Sequence, residues 1–129
     1  MPTLRGLLAL GAATVGAILP AAVQGQDDAP ARERLGVVRF ETSCPEAARA
    51  PFDRAVALLH HMTYDRARAE FAAIASEHPG CAMAHWGIAM TLFTPLWPTR
   101  PGEDDLRRGW QEVTTARKIG AGTRREQMF

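Results

Sequence analysis

Four histidines (His60, His61, His78, His85), three methionines among them (Met62, Met83, Met90) and two cysteines, Cys44 and Cys81, are the side chains that could hold a soft metal ion. The run His78-x-x-Cys81-x-Met83-x-His85 offers imidazole, thiolate and thioether, donors that suit copper. On a helix, residues 81, 83 and 85 project to different sides, and the spacing matches no familiar ligand pattern. His78 and His85 therefore stay weak metal candidates. The plainer reading puts Met83 and Met90 in a core, His60 and His85 on helix surfaces or in packing, and His78 in a loop. No nucleophile–base arrangement, phosphate-cradling glycine loop or paired-carboxylate motif stands out, so no residue receives a catalytic role. The expectation is no cofactor, and the balance leans away from an enzyme.

The cysteines carry more. Neither a Cys-x-x-Cys motif nor a haem-attachment motif is present, which leaves redox catalysis unsupported. In an oxidising compartment two cysteines favour a disulfide, with a reduced buried pair or metal ligation as the alternatives. A Cys44–Cys81 bridge would stabilise the fold by roughly 4 kcal/mol in the chain-entropy account, less any strain. Trp86 and Trp110 sit on apolar stripes and read as interface fillers. Trp97 lies instead among Pro95, Pro98 and Pro101, where no stripe claims it, and is the candidate for contact with a partner.

The elements that must position these residues follow from composition and period. The 129 residues suit one small domain, with 47% apolar and 22% charged residues. A formal charge of +1 carries no footprint for nucleic acid. Residues 1–25 read as a secretory signal peptide: Arg5 beside the amino terminus, an uncharged Ala-, Leu- and Gly-rich run from Gly6 to Val23, and a polar exit. Pro20 and the many small residues argue against an uncleaved membrane anchor. Residues 26–42 read as a flexible polar tail followed by a short extended segment, Leu35–Phe40, that docks on a helical surface.

From Ser43 the period is helical. Ser43-Cys44-Pro45-Glu46 has capping-box spacing, and Phe52, Ala55, Val56, Leu59 and Met62 make one apolar stripe over Glu46–Met62. A second helix over Arg66–Glu77 carries Ala67, Phe71, Ile74 and Ala75, and His78-Pro79-Gly80 ends it. A third, Cys81–Thr94, is apolar almost all round, the mark of burial on several sides. A fourth opens at Glu103-Asp104-Asp105, carries Leu106, Trp110, Val113 and Ala116, and stops at Gly120-Ala121-Gly122. Thr123-Arg124-Arg125-Glu126 repeats the capping box, so a fifth helix is expected to start there. Met128-Phe129 follow barely one turn later, which reads as the N-terminal part of a longer protein.

An internal repeat orders these helices. At an offset of 34, Phe52 maps to Trp86, Ala55 to Ala89, Val56 to Met90, Leu58 to Leu92 and Leu59 to Phe93. Ala55, Ala67, Phe71 and Pro79 form a small–small–aromatic–proline ladder, in which small residues admit close helix approach, the aromatic fills the gap and proline ends the helix. With eight extra residues in the Pro-rich loop, Gly109, Val113 and Ala116 take the places of Ala67, Phe71 and Ile74. This is the tetratricopeptide period and unit. The chain from Leu35 to Phe129 also resembles a group of exported bacterial tetratricopeptide-like proteins of unassigned activity. That resemblance rests on Ser43-Cys44-Pro45, Leu58-Leu59-His60 with Tyr64, and the run from His78 to Met90. It implies a solenoid continuing past Phe129 and brings no catalytic residue.

The expectation is an all-α, tetratricopeptide-type solenoid of about two helical hairpins over residues 43–129, exported to the periplasm or medium and not inserted in a membrane once its leader is removed. Its expected role is non-catalytic binding of a protein or peptide, through exposed positions on Glu46–Met62 and Cys81–Thr94. The alternative is the N-terminal module of a longer exported enzyme or metal-binding protein whose site lies beyond Phe129. Mass mapping of protein exported by a bacterial host should place the mature amino terminus between Val23 and Asp27. An intact Met1 on exported, soluble material contradicts the leader.

Overall fold

Four runs of helical period become four helices, and the turns between them are proline and glycine chemistry. In the computed structural model, which describes residues 34–94, 99–120 and 122–129, these are α1 (Glu46–His60), α2 (Tyr64–Glu77), α3 (Ala82–Phe93) and α4 (Glu103–Ile119). A short 3₁₀ turn, Glu126–Met128, follows, and there is no strand among the described residues. The signal-peptide reading of residues 1–25 and most of the tail lie outside the described residues. Residues 34–42 carry no regular secondary structure.

Two helix starts differ from the capping pattern. Pro45, not Ser43, stands at the N-cap of α1, and no side chain caps that helix. Ser43 is drawn away by a carboxylate 83 positions later, Glu126. At α2 the helix begins at Tyr64 behind Thr63, whose hydroxyl donates to the Leu58 carbonyl at 2.9 Å. Asp65 in the first turn of that helix pairs with Arg68 one turn on at 3.0 Å. Pro51 lies inside α1, where it removes one intrahelical hydrogen bond.

Short links make α1 and α2, and α2 and α3, antiparallel, and α1 with α2, α2 with α3, and α3 with α4 pack as neighbours. The core runs through the first three. Ala48, Phe52, Ala55 and Leu58 of α1, Ala67 and Phe71 of α2, and Ala84 of α3 are fully enclosed. Phe52 and Phe71 meet edge-on with ring centroids 5.4 Å apart. α2 and α3 meet in a close seam, where a Cβ built on Gly87 would collide with the Phe71 ring. Beside it, fully buried Thr91 donates to the Ile88 carbonyl at 2.7 Å and accepts from Arg68 Nε at 3.2 Å, so no polar atom is stranded.

A disulfide joins Cys44 to Cys81 with their Cα atoms 4.7 Å apart. It fastens the residues ahead of α1 to the N-cap of α3. The segment it pins lies across both helices: Phe40 packs on Phe52 at 5.6 Å and on Trp86 at 5.8 Å, and its backbone N–H donates to the Asp53 carboxylate at 2.8 Å.

α4 is the exception. α2 buries Tyr64, Ala67, Phe71 and Ile74, whereas α4 buries none of its residues. Trp110, expected to fill an interface, is 65% exposed. The two glycines of these helices therefore predict opposite outcomes. Gly87→Ala should destabilise by about 1–3 kcal/mol through overpacking against Phe71. Gly109→Ala meets open space and should stabilise by up to about 1 kcal/mol through helix propensity. Urea midpoints of the two variants check both signs, and a neutral Gly87→Ala refutes the close seam.

Candidate functional site

At an offset of 42 along the sequence, Tyr64, Ala67, Phe71 and Ile74 of α2 correspond to Leu106, Gly109, Val113 and Ala116 of α4. The first set is buried because α3 lies on α2; the second meets no further helix among the described residues. A groove results between α3 and α4. Toward its lower end is a cavity of about 520 Å³ lined by Ala82, Met83, Trp86, Val113, Ala116 and Arg117, with the residues from Glu126 to Phe129 along one side. Toward the other is one of about 350 Å³ with Met90, Phe93, Pro101, Leu106, Trp110 and Phe129 in its wall.

Five of the seven large apolar side chains exposed among the described residues lie on this face: Phe93, Leu106, Trp110, Met128 and Phe129. Apolar surface gathered in one place marks a contact site, where the same residues scattered singly would not. On α4 the acids Glu103, Asp104 and Asp105 stand in the first turn, where Asp104 pairs with Arg107 of the next, and Arg117 and Lys118 stand in the last turn. Arg117 extends over the Trp110 ring, 5.9 Å from its centroid. Between the helices, His85 Nδ1 lies 2.7 Å from Glu112 Oε2, an ion pair whenever the imidazole is protonated.

The lower end of the groove is closed by the turn after α4. Thr123 and Glu126 form the reciprocal box that their spacing predicts: the Thr123 N–H donates to the Glu126 carboxylate at 2.9 Å, and the Glu126 N–H donates to Thr123 Oγ1 at 3.1 Å. The same carboxylate accepts from the Gly122 N–H at 2.9 Å, and from the Ser43 N–H and hydroxyl at 2.7 and 3.1 Å. A Cβ on Gly122 would collide with Ser43, so this approach needs glycine. Arg125 then lies over Phe40 at 4.2 Å, and Phe129 packs on Trp86 at 5.0 Å. Where a fifth helix was expected from Thr123, only the single 3₁₀ turn forms.

Burial works to raise the Glu126 carboxyl, but the Ser43 backbone and hydroxyl donors and those of Thr123 outweigh it and hold the group below its ordinary value of 4.5.

The residues singled out for metal do not converge. Cys81 is consumed by the disulfide, Met83 is in the core, His85 is engaged by Glu112, and His78 stands at the end of α2. Among the described residues no three His, Cys, Asp or Glu side chains come together as a metal site. Trp97 lies outside the described residues. On α1, the exposed positions Glu46, Arg49 and Arg54 are charged, and Phe40 already covers part of the face that Phe52 and Trp86 share. The exposed apolar surface therefore lies mainly in the α3–α4 groove, which takes in part of the expected Cys81–Thr94 face through Phe93 but none of Glu46–Met62. Comparison of the chain with known protein families, with curated proteins and with solved structures finds no match.

Because the folded-state carboxyl of Glu126 is depressed, its stabilisation is present above the ordinary value of 4.5 and is lost as pH falls through the lower folded value. Glu126→Ala should cost about 1–3 kcal/mol at neutral pH by stranding its donors. The difference in melting temperature between wild type and variant should shrink as the solution is acidified below the carboxylate range. A difference independent of pH would sink the carboxylate as the fastening group.

Proposed function

We propose that this chain is an exported, disulfide-stapled helical-repeat scaffold of the tetratricopeptide type that binds a protein or peptide segment and performs no catalysis. The observation that carries the reading is the open apolar face of α4, whose counterpart on α2 is sealed by a helix. Support for the repeat type comes from the ladder residues Ala55, Ala67 and Phe71, all fully buried, with Pro79 just past the end of α2. These are the places where close approach, gap filling and helix termination are required. The resemblance to exported bacterial tetratricopeptide-like proteins points the same way.

Export rests on the leader pattern of residues 1–25. The Cys44–Cys81 bridge is compatible with an oxidising compartment, and no helix among the described residues is long and apolar enough to cross a membrane. Binding through such a face draws on apolar area, worth about 25 cal/mol per Å² removed from water before the costs of association.

Selection from a random peptide display library on immobilised residues 26–129 tests the reading. Enriched sequences should be apolar and amphipathic, and their recovery should fall at least about tenfold on Trp110→Ala protein, the loss of one central aromatic contact. Recovery indifferent to Trp110, or no enrichment, overturns binding at this face.

A further inference from the structure

The geometry points to a second binding seat, across α1 and α3, that takes an extended peptide and is filled here by the chain's own residues 34–42. The partner it fits is an unstructured segment of another protein with the pattern Leu-Gly-x-Val-x-Phe. This goes beyond the α4 face and does not depend on it. The residues ahead of α1 form no helix or strand, so side chains take the place of a backbone partner. The Phe40 N–H donates to Asp53 Oδ1 at 2.8 Å, and the Leu35 carbonyl accepts from His61 Nε2 at 3.1 Å. The two contacts fix the sense of the segment as antiparallel to α1, because Leu35 meets the carboxyl end of that helix and Phe40 its middle.

Three side chains of the segment turn inward. Leu35, Val38 and Phe40 pack on the core, whereas Val37 is 88% exposed and Arg34, Arg39 and Glu41 face solvent. A regular extended chain alternates. The inward step of three from Leu35 to Val38 is accommodated at Gly36, whose φ of +81° suits glycine. Phe40 is the anchor. Its ring lies 5.6, 5.8 and 6.0 Å from those of Phe52, Trp86 and Phe129, and the Arg125 guanidinium stands over it at 4.2 Å. Rings and a cation around one ring favour an aromatic side chain there. The rest is lightly held: none of residues 34–42 is buried, and an open volume of about 570 Å³ lies beside Arg39, Thr42 and Arg49. Ordering an irregular segment costs backbone entropy, and its departure leaves the Cys44–Cys81 bridge in place. What keeps competitors out is the tether, which gives the resident segment an effective concentration of about millimolar.

The test uses residues 26–129 with the bridge intact and a fluorescent synthetic peptide of residues 34–42. Gly36→Val unseats the resident segment through its backbone alone: a Cβ there meets no atom within 4 Å, while the positive φ is hostile to a β-branched residue. Helical circular dichroism should therefore match wild type. The variant should bind the peptide saturably, at least about tenfold more tightly than wild type, whose own segment competes. D-alanine in place of Gly36 in the peptide favours positive φ and should preserve or improve binding, whereas L-valine there should weaken it several-fold. Phe40→Ala in the peptide, or Asp53→Ala added to the Gly36→Val protein, should weaken binding about tenfold. Adding Trp110→Ala should change nothing. No saturable binding to Gly36→Val, equal binding by variant and wild type, or D-alanine and L-valine peptides that bind alike overturns the proposal. So does a wild-type dimer that excess peptide dissociates, which makes a second copy the partner, and so does binding lost on Trp110→Ala, which moves the peptide to α4. Failure here leaves the α4 reading standing, because the display selection depends on Trp110 and this experiment on Gly36 and Asp53.

Discussion

The close seam of Phe71 against Gly87 governs how the helices of this protein stack. A helical hairpin has apolar residues on more than one side and cannot bury them alone. The α1–α2 hairpin is completed by α3, and α3 can come close enough only because one position in its face has no side chain. That approach brings Ala84 and Ile88 into the core and lets Arg68 bond with Thr91 across the seam. Close-packed interiors tolerate little change in volume, so a single added carbon there acts on the whole interface.

Two further fastenings hold the rest to this seam, and they share one neighbourhood. The disulfide ties Cys44 to the start of α3, and the adjacent Ser43 donates twice to Glu126. The chain ahead of α1 and the turn after α4 are therefore held at one place, although 83 positions separate Ser43 from Glu126. Phe40, Trp86 and Phe129 pack around that junction. One covalent bond and one carboxylate with several donors thus do for the ends of the described fold what packing does for its middle. Among the described residues α4 receives neither form of cover on its outer side, and its apolar stripe is exposed there.

The helices were legible in the sequence because period and punctuation are local properties. Phe52, Ala55, Ala67, Phe71 and Ile74 recur at helical spacing, and His78-Pro79-Gly80 ends a run wherever it occurs. The bridge between Cys44 and Cys81 was legible as a favoured pairing because two cysteines in an oxidising compartment tend to join. The capping pattern at Ser43 was misleading for a physical reason. Ser43 and Glu46 have the right spacing, but in a capping box the Ser43 N–H would donate to Glu46 and its oxygen would accept from the helix end, whereas here its N–H and hydroxyl both donate to the Glu126 carboxylate. The stripe on α4 was also read correctly as apolar and wrongly as covered, since periodicity reports which side is apolar and is silent on what lies against it.

By itself the sequence determined the all-α class, the order of the four helices and the small and aromatic residues that let them approach, and it favoured the cysteine pair over a reduced pair or metal ligation. The helical features depend on neighbours a few residues away. Only the tertiary structure decided where Ser43 spends its hydrogen bonds, that His85 meets Glu112, that Phe129 lies on Trp86, and that Leu106 stands exposed where Tyr64 is buried. These are encounters between residues 27 or more positions apart or, for Leu106, the lack of one. They depend on which faces the stack brings together, and no local pattern carries that information.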